Sequence, residues 1–210
     1  MKIPDEYYHV YNRGVLKNQI FRDQQDWVRF LFSILHFQSD LTLTNLTRPV
    51  SYFVRHSMFN TSQETIKEIV QQRKVSLVAF SLMPNHFHLL LKNHVDEGIF
   101  RYMQRLLNSH TKYFNNKYQQ SGHLFQGRYK SVHIEDNDQL LHLSAYIHKH
   151  TGGWNSRNDY LKSNRWPCLL TPSIVTDQFN DKDEYKSFLA SSVAKKKAEE
   201  IEEELDINRC

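Results

Sequence analysis

The most constraining stretch of the chain is VSLVAFSLMPNHFHLLLKN, residues 75–93. Val75 to Leu82 is a dense apolar run of strand-forming residues. Met83-Pro84-Asn85 interrupts it, because proline has no N–H to give to a sheet ladder. HFHLLLKN then reads as the antiparallel return strand. Side chains alternate along a strand, so His86 and His88 project to one side while Phe87, Leu89 and Leu91 face a core on the other. The hairpin therefore demands a packed layer on one side of a sheet. It also raises the question of what two imidazoles do on the other.

The remaining length supplies helices for that layer. The strand EYYHVYN, residues 6–12, precedes a turn at Arg13-Gly14. Asp23 reads as an N-cap, followed by Trp27, Phe30, Leu31, Ile34 and Leu35 at helical spacing. Residues 39–60 are rich in Thr, Asn and Ser, show no assignable period and read as an insertion. Thr61 and Glu64 form a capping box for a helix to about Arg73. Asp96 and Glu97 open a helix with Ile99, Phe100, Met103, Leu106, Leu107 and Tyr113 or Phe114 inward, closed by Ser121-Gly122. RYKSVHIE, residues 128–135, is a further strand, and Asp136 or Asn137 caps a helix to about His150 with Leu140, Leu143 and Ile147 inward. A last helix near 182–206 ends in KKKAEEIEEELD. Residues 1–190 read as one domain and 191–210 as a charged helical tail.

Charge and composition narrow the partners. Residues 1–176 hold 21 Lys and Arg against 13 Asp and Glu, while residues 177–210 hold 6 against 10. A basic body with an acidic tail is compatible with a polyanion or with an ordinary solvated surface. Cys168 and Cys210 are the only cysteines, which excludes a disulfide framework and a cysteine metal site. The start, MKIPDEYYHVYNRG, has no hydrophobic signal region, and no run is long enough to span a membrane, so a cytoplasmic protein is expected.

Two imidazoles on one strand face can hold a divalent metal if another element brings a third ligand, or they can be two hydrogen-bonded histidines at a sheet edge. His142, Tyr146 and His150 lie four residues apart on a helix and form one stripe. A tyrosine one turn before a histidine suggests a nucleophile beside a metal ligand. A phenol has a pKa near ~10, so its attack on phosphorus needs help. A metal on the phosphate oxygens supplies it. Tyr146 is otherwise an ordinary amphipathic-helix tyrosine, and Tyr113, Tyr118 and Tyr129 are rival nucleophiles. Arg101, Arg105 and Lys112 share an outward helical stripe, and Arg128 and Lys130 alternate on one strand face, which suits phosphate contacts. Asn12, Arg13 and the tyrosines at 7, 8 and 11 suit unpaired bases.

Together EYYHVYNRG, LMPNHFHLLL, SGHLFQGRYKS and LLHLSAYIHKH, in that order, resemble the HUH (His-hydrophobic-His) single-tyrosine transposases, most of all their REP-associated tyrosine branch. The resemblance implies an α+β fold, a ferredoxin-like or RRM-like antiparallel sheet with helices packed on one face. It implies Tyr146 as nucleophile and His86 and His88 as ligands of Mg2+ or Mn2+. It places the third ligand one turn after the tyrosine, at His150, and leaves His148 as the alternative, because relatives read Asn-Pro where this chain has His150-Thr151. The implied activity is a DNA strand transferase that cleaves and rejoins single-stranded DNA next to hairpins through a 5′-phosphotyrosine. The implied partner is single-stranded or hairpin DNA, with a monomer and a homodimer both open. Two other readings stand beside it: a hairpin DNA or RNA binder of the same fold without chemistry, and a zinc hydrolase, which needs a carboxylate base near His86 and His88.

Overall fold

The structure, a computed structural model, describes residues 3–150, 152–191, 193, 194, 196, 197 and 200. The elements follow as strand β1 (Tyr7–Arg13), a 3-10 turn (Val15–Lys17), helices α1 (Gln24–His36), α2 (Thr47–His56) and α3 (Gln63–Gln71), and strands β2 (Val75–Met83) and β3 (His86–Asn93). Then come α4 (Gly98–Tyr118), β4 (Lys130–His133), α5 (Asn137–Lys149), β5 (Trp154–Asn155), α6 (Arg157–Leu161), α7 (Ser173–Thr176) and α8 (Lys182–Ala190). The sheet order is β4-β1-β3-β2-β5, with every ladder antiparallel. Without β5 this is the βαββαβ ferredoxin-like arrangement, an α+β fold.

The alternation read in the hairpin divides the apolar residues into two cores. Val10, Phe80, Leu82, Phe87, Leu89 and Leu91 pack with α1 and α4 residues such as Leu31, Ile34, Ile99 and Met103. Leu90, Val78 and Ala79 belong to a second cluster with Leu140, Leu143, Tyr146 and Ile147 of α5 and Tyr185 of α8. A register shift between Leu77 and Ala79 lets the adjacent residues Val78 and Ala79 serve the same core, with Leu77 and Phe80 in the other. The helices are thus divided between the faces, α1 and α4 on one and α5 on the other. The one-face layer implied by the motifs describes the first pair only.

Several local expectations are corrected. Ser62, not Thr61, caps α3 and accepts from the Thr65 N–H, while the Thr61 hydroxyl is hydrogen-bonded to His36 Nε2 at 2.9 Å. Residues 39–60 contain α2, whose Val50 and Phe53 join the first core. Helix α4 ends at Tyr118 with Gln119 in the left-handed conformation, before Ser121-Gly122, and Phe100 on it is exposed. Strand β4 begins at Lys130, leaving Arg128 in the preceding loop. Helix α8 ends at Ala190, and the charged tail lies largely outside the described residues.

Asp26 joins α1 to α4. It forms the reciprocal capping box with Asp23 and is fully buried. Its oxygens accept from the Arg22 N–H, the hydroxyls of Tyr113 and Tyr118, and Lys117 Nζ at 2.7–2.9 Å. Burial alone would raise its pKa, but these donors, Lys117 first, outweigh it and hold the carboxyl below its usual value. Asp26→Ala would leave the Tyr113 and Tyr118 phenols without their acceptor and Lys117 with Asp23 as its remaining carboxylate. A loss of about 3–5 kcal/mol is expected in urea unfolding, and a change under about 1 kcal/mol would contradict this account.

The core also holds neutral histidines. Burial pushes His36 and His110 down to about 4 and His148 to about 3. Below pH ~6.5 the unfolded chain takes up protons that these folded imidazoles refuse, so stability falls as pH drops from there to about 4. Each histidine contributes up to ~1.4 kcal/mol per pH unit in that window. Urea midpoints should fall between pH 7.5 and 5, and a flat profile would contradict the burial.

Candidate active site

Strand β3 is paired on both sides. His88 stands opposite Tyr11 of β1 and Ser81 of β2, and His86 stands opposite Arg13 and Met83. Directly opposed residues share a face, so these side chains lie on the side that α5 covers. The Leu140, Leu143 and Ile147 stripe seats α5 there. Tyr146 on the helix and His150, its C-cap in extended backbone, then come over the histidine pair.

The C-terminal end of α5 is clamped. His148 uses both ring nitrogens, Nδ1 on the Tyr185 hydroxyl and Nε2 on Ser156 Oγ, each at 2.8 Å. Ser156 Oγ in turn accepts from the Phe80 N–H at 3.0 Å. Asn155 Nδ2 donates to the His150 carbonyl at 2.5 Å. Gly153 passes so close to the Leu82 carbonyl that a Cβ there would collide with it. These contacts tie the helix end to β2, β5 and α8. They also remove His148 from the candidate ligands, since neither nitrogen is left for a metal.

One ligand atom from each of His86, His88 and His150 lies within 4.8 Å of the others. The His88 and His150 rings are nearly parallel, 6° apart with centroids at 5.0 Å, and His86 meets His150 at 5.8 Å. The Tyr146 ring stands edge-on to both, 5.3 Å from His88 and 4.9 Å from His150. His88 is held well below its ordinary pKa by burial, to which repulsion from His9, His86 and His150 adds. A neutral imidazole is the form that ligates a metal, so this donor set fits a divalent cation. No Asp or Glu belongs to the group among the described residues, and the carboxylate that a zinc hydrolase needs is not found there.

His9 was missed in the sequence. It lies between two tyrosines read for base stacking, yet it is buried against this cluster and hydrogen-bonded to His88. Strand parity puts it on the face of Tyr7 and Tyr11, but only the β1–β3 register puts it beside His88. Ser81, opposite His88, was also not foreseen. Its buried hydroxyl has no hydrogen-bond partner among the described residues.

The other candidates are scattered. Tyr113 and Tyr118 are bound to Asp26 in the α1/α4 layer, and burial pushes both phenols up to about 12. Tyr129 packs against the first core. His142 lies against Phe188, with Nε2 3.4 Å from Asp138, outside the histidine group. Arg13 and Lys130 share the histidine face, Lys130 pairing with Tyr11, and Arg128 is exposed just before β4. Asn12 points to the other face and is buried, its Oδ1 accepting from the Arg13 N–H and its Nδ2 reaching the Gly127 carbonyl. Arg105 braces the Ser39 and Leu41 carbonyls, Arg101 pairs with Glu97, and Lys112 is exposed. These three sit on α4, across the sheet from Tyr146.

Among the described residues no helix is long and apolar enough to cross a membrane. No curated protein sequence matches the chain. A solved structure of a REP-associated tyrosine transposase bound to a REP hairpin is similar at 14% identity and a TM-score of 0.41, covering 81% of this chain and 88% of that one. The family model for IS200-like transposases matches residues 46–150, a span holding His86, His88, Tyr146 and His150. The chain belongs to the IS200-like transposase family.

Proposed function

We propose that this transposase cuts and rejoins single-stranded DNA beside hairpins by transesterification, with Tyr146 as the nucleophile. The observation that carries the reading is the packing of one tyrosine ring edge-on to His88 and His150, next to His86. The Tyr146 oxygen attacks the scissile phosphorus and gives up its proton. The bond from phosphorus to the 3′ oxygen breaks, and that oxygen takes up a proton as a free 3′-hydroxyl. Tyr146 is left joined to the 5′-phosphate, and a 3′-hydroxyl later reverses the step. The phosphodiester energy is kept in the link, so no nucleotide triphosphate is consumed.

His86, His88 and His150 would hold Mg2+ or Mn2+, which when bound neutralises charge building on the phosphate oxygens. Three imidazoles suit Mn2+ better than Mg2+, which favours oxygen donors. Arg13, Arg128 and Lys130 are on or beside the same face and suit the DNA backbone there. Arg101, Arg105 and Lys112 would meet DNA only if it wrapped to the far side of the sheet.

One observation favours the second reading, a hairpin binder without chemistry: Tyr146 is only 2% exposed. In the catalytic reading the ring leaves this packing when a phosphate enters. The two readings separate on a denaturing gel. With hairpin-bearing single-stranded DNA and Mn2+ or Mg2+, the wild type should form a protein–DNA adduct. Tyr146→Phe and chelator should each abolish it, because one removes the attacking oxygen and the other the cation. Tight binding with no adduct in either metal supports the binder, and cleavage surviving Tyr146→Phe contradicts both.

A further inference from the structure

The hydrogen bond between His9 and His88 has a consequence for the metal reading, on which this inference rests. His9 Nε2 lies 2.9 Å from His88 Nδ1, with the rings 21° from parallel. A neutral imidazole carries one N–H, so the bond can be made in two ways. If His9 donates, His88 Nδ1 is the acceptor and the His88 proton sits on Nε2, where it blocks ligation. If His88 donates from Nδ1, its Nε2 lone pair is left for the group it forms with His86 and His150. Only the second arrangement makes His88 a ligand.

We propose that His9 is a positioning residue that accepts the His88 Nδ1–H, and so fixes both the tautomer and the ring plane of the central ligand. Ligating histidines generally give their second N–H to a carboxylate, carbonyl or water. Here another imidazole fills that place, and it is itself firmly held. His9 is buried on the interior strand β1, 4.9 Å from the Tyr11 ring and 6.0 Å from Tyr146. It is not a member of the three-histidine group, so it acts through His88 rather than as a ligand. One side chain thereby touches both the central ligand and the tyrosine.

The test uses the full chain and Mn2+ alone, titrated by calorimetry without DNA, with metal-free melting curves as the folding control. His9→Met and His9→Gln are close in shape, but only Gln carries an amide oxygen able to accept the His88 proton. His9→Met should weaken Mn2+ binding about 10- to 100-fold. His9→Gln should restore most of that loss at a similar melting temperature. If His9→Met does not fold, His9→Phe, planar and without an acceptor, takes its place. Binding by the Met or Phe variant equal to wild type overturns the inference, as does a Gln variant no better than Met. A wild type that binds no Mn2+ overturns the metal reading itself, and this inference with it.

Discussion

The site depends on the register of β3 between its two neighbours. With β1 and β2 both paired to it, every β3 side chain is committed to one face. A slip of one residue would turn His86 and His88 into the core of α1 and α4 and push Phe87, Leu89 and Leu91 under α5. The cost of burying two imidazoles there, and of uncovering three large apolar groups, excludes the slip. The apolar residues of the hairpin thus fix where its histidines point.

Helix α5 turns that face into a site. Its apolar stripe packs on Leu90, Val78 and Ala79, and the His148–Ser156 and Asn155–His150 bonds hold its end. Functional groups held on packed elements keep their geometry better than those on loops. Tyr146 is packed against His9, His88 and His150 and deeply covered. The same packing that aims the phenol at the imidazoles keeps it from solvent, so substrate entry and ring release are coupled in the catalytic reading.

What could be read in the sequence was governed by short periods. The two-residue alternation of HFHLLL and the helical spacing of Leu140, Leu143 and Ile147 marked both halves of the site. Local rules showed that His86 and His88 share one strand face and that Tyr146 and His150 are one turn apart, while the meeting of the two sets was implied by the family resemblance. His9 was not legible, because its neighbour is 79 residues away and register is a property of the folded sheet. The choice between His148 and His150 depended on α8 and β5, whose Tyr185 and Ser156 take both nitrogens of His148. Arg105 and Asn12 had the right chemistry for phosphates and bases. In the fold Arg105 braces loop carbonyls, and Asn12 braces the turn after Phe125. A stripe of charge cannot reveal which side of the sheet its helix covers.

The central claim, that the Tyr146 oxygen becomes bonded to DNA, is tested most directly by mass spectrometry of the reacted protein after nuclease and trypsin treatment. The tryptic peptide spanning residues 131–149 contains Tyr146 and no other tyrosine. The account predicts a 5′-linked nucleotide phosphate on that peptide, localised to Tyr146. A nucleotide on a different tyrosine, or cut DNA with no modified peptide, would contradict it.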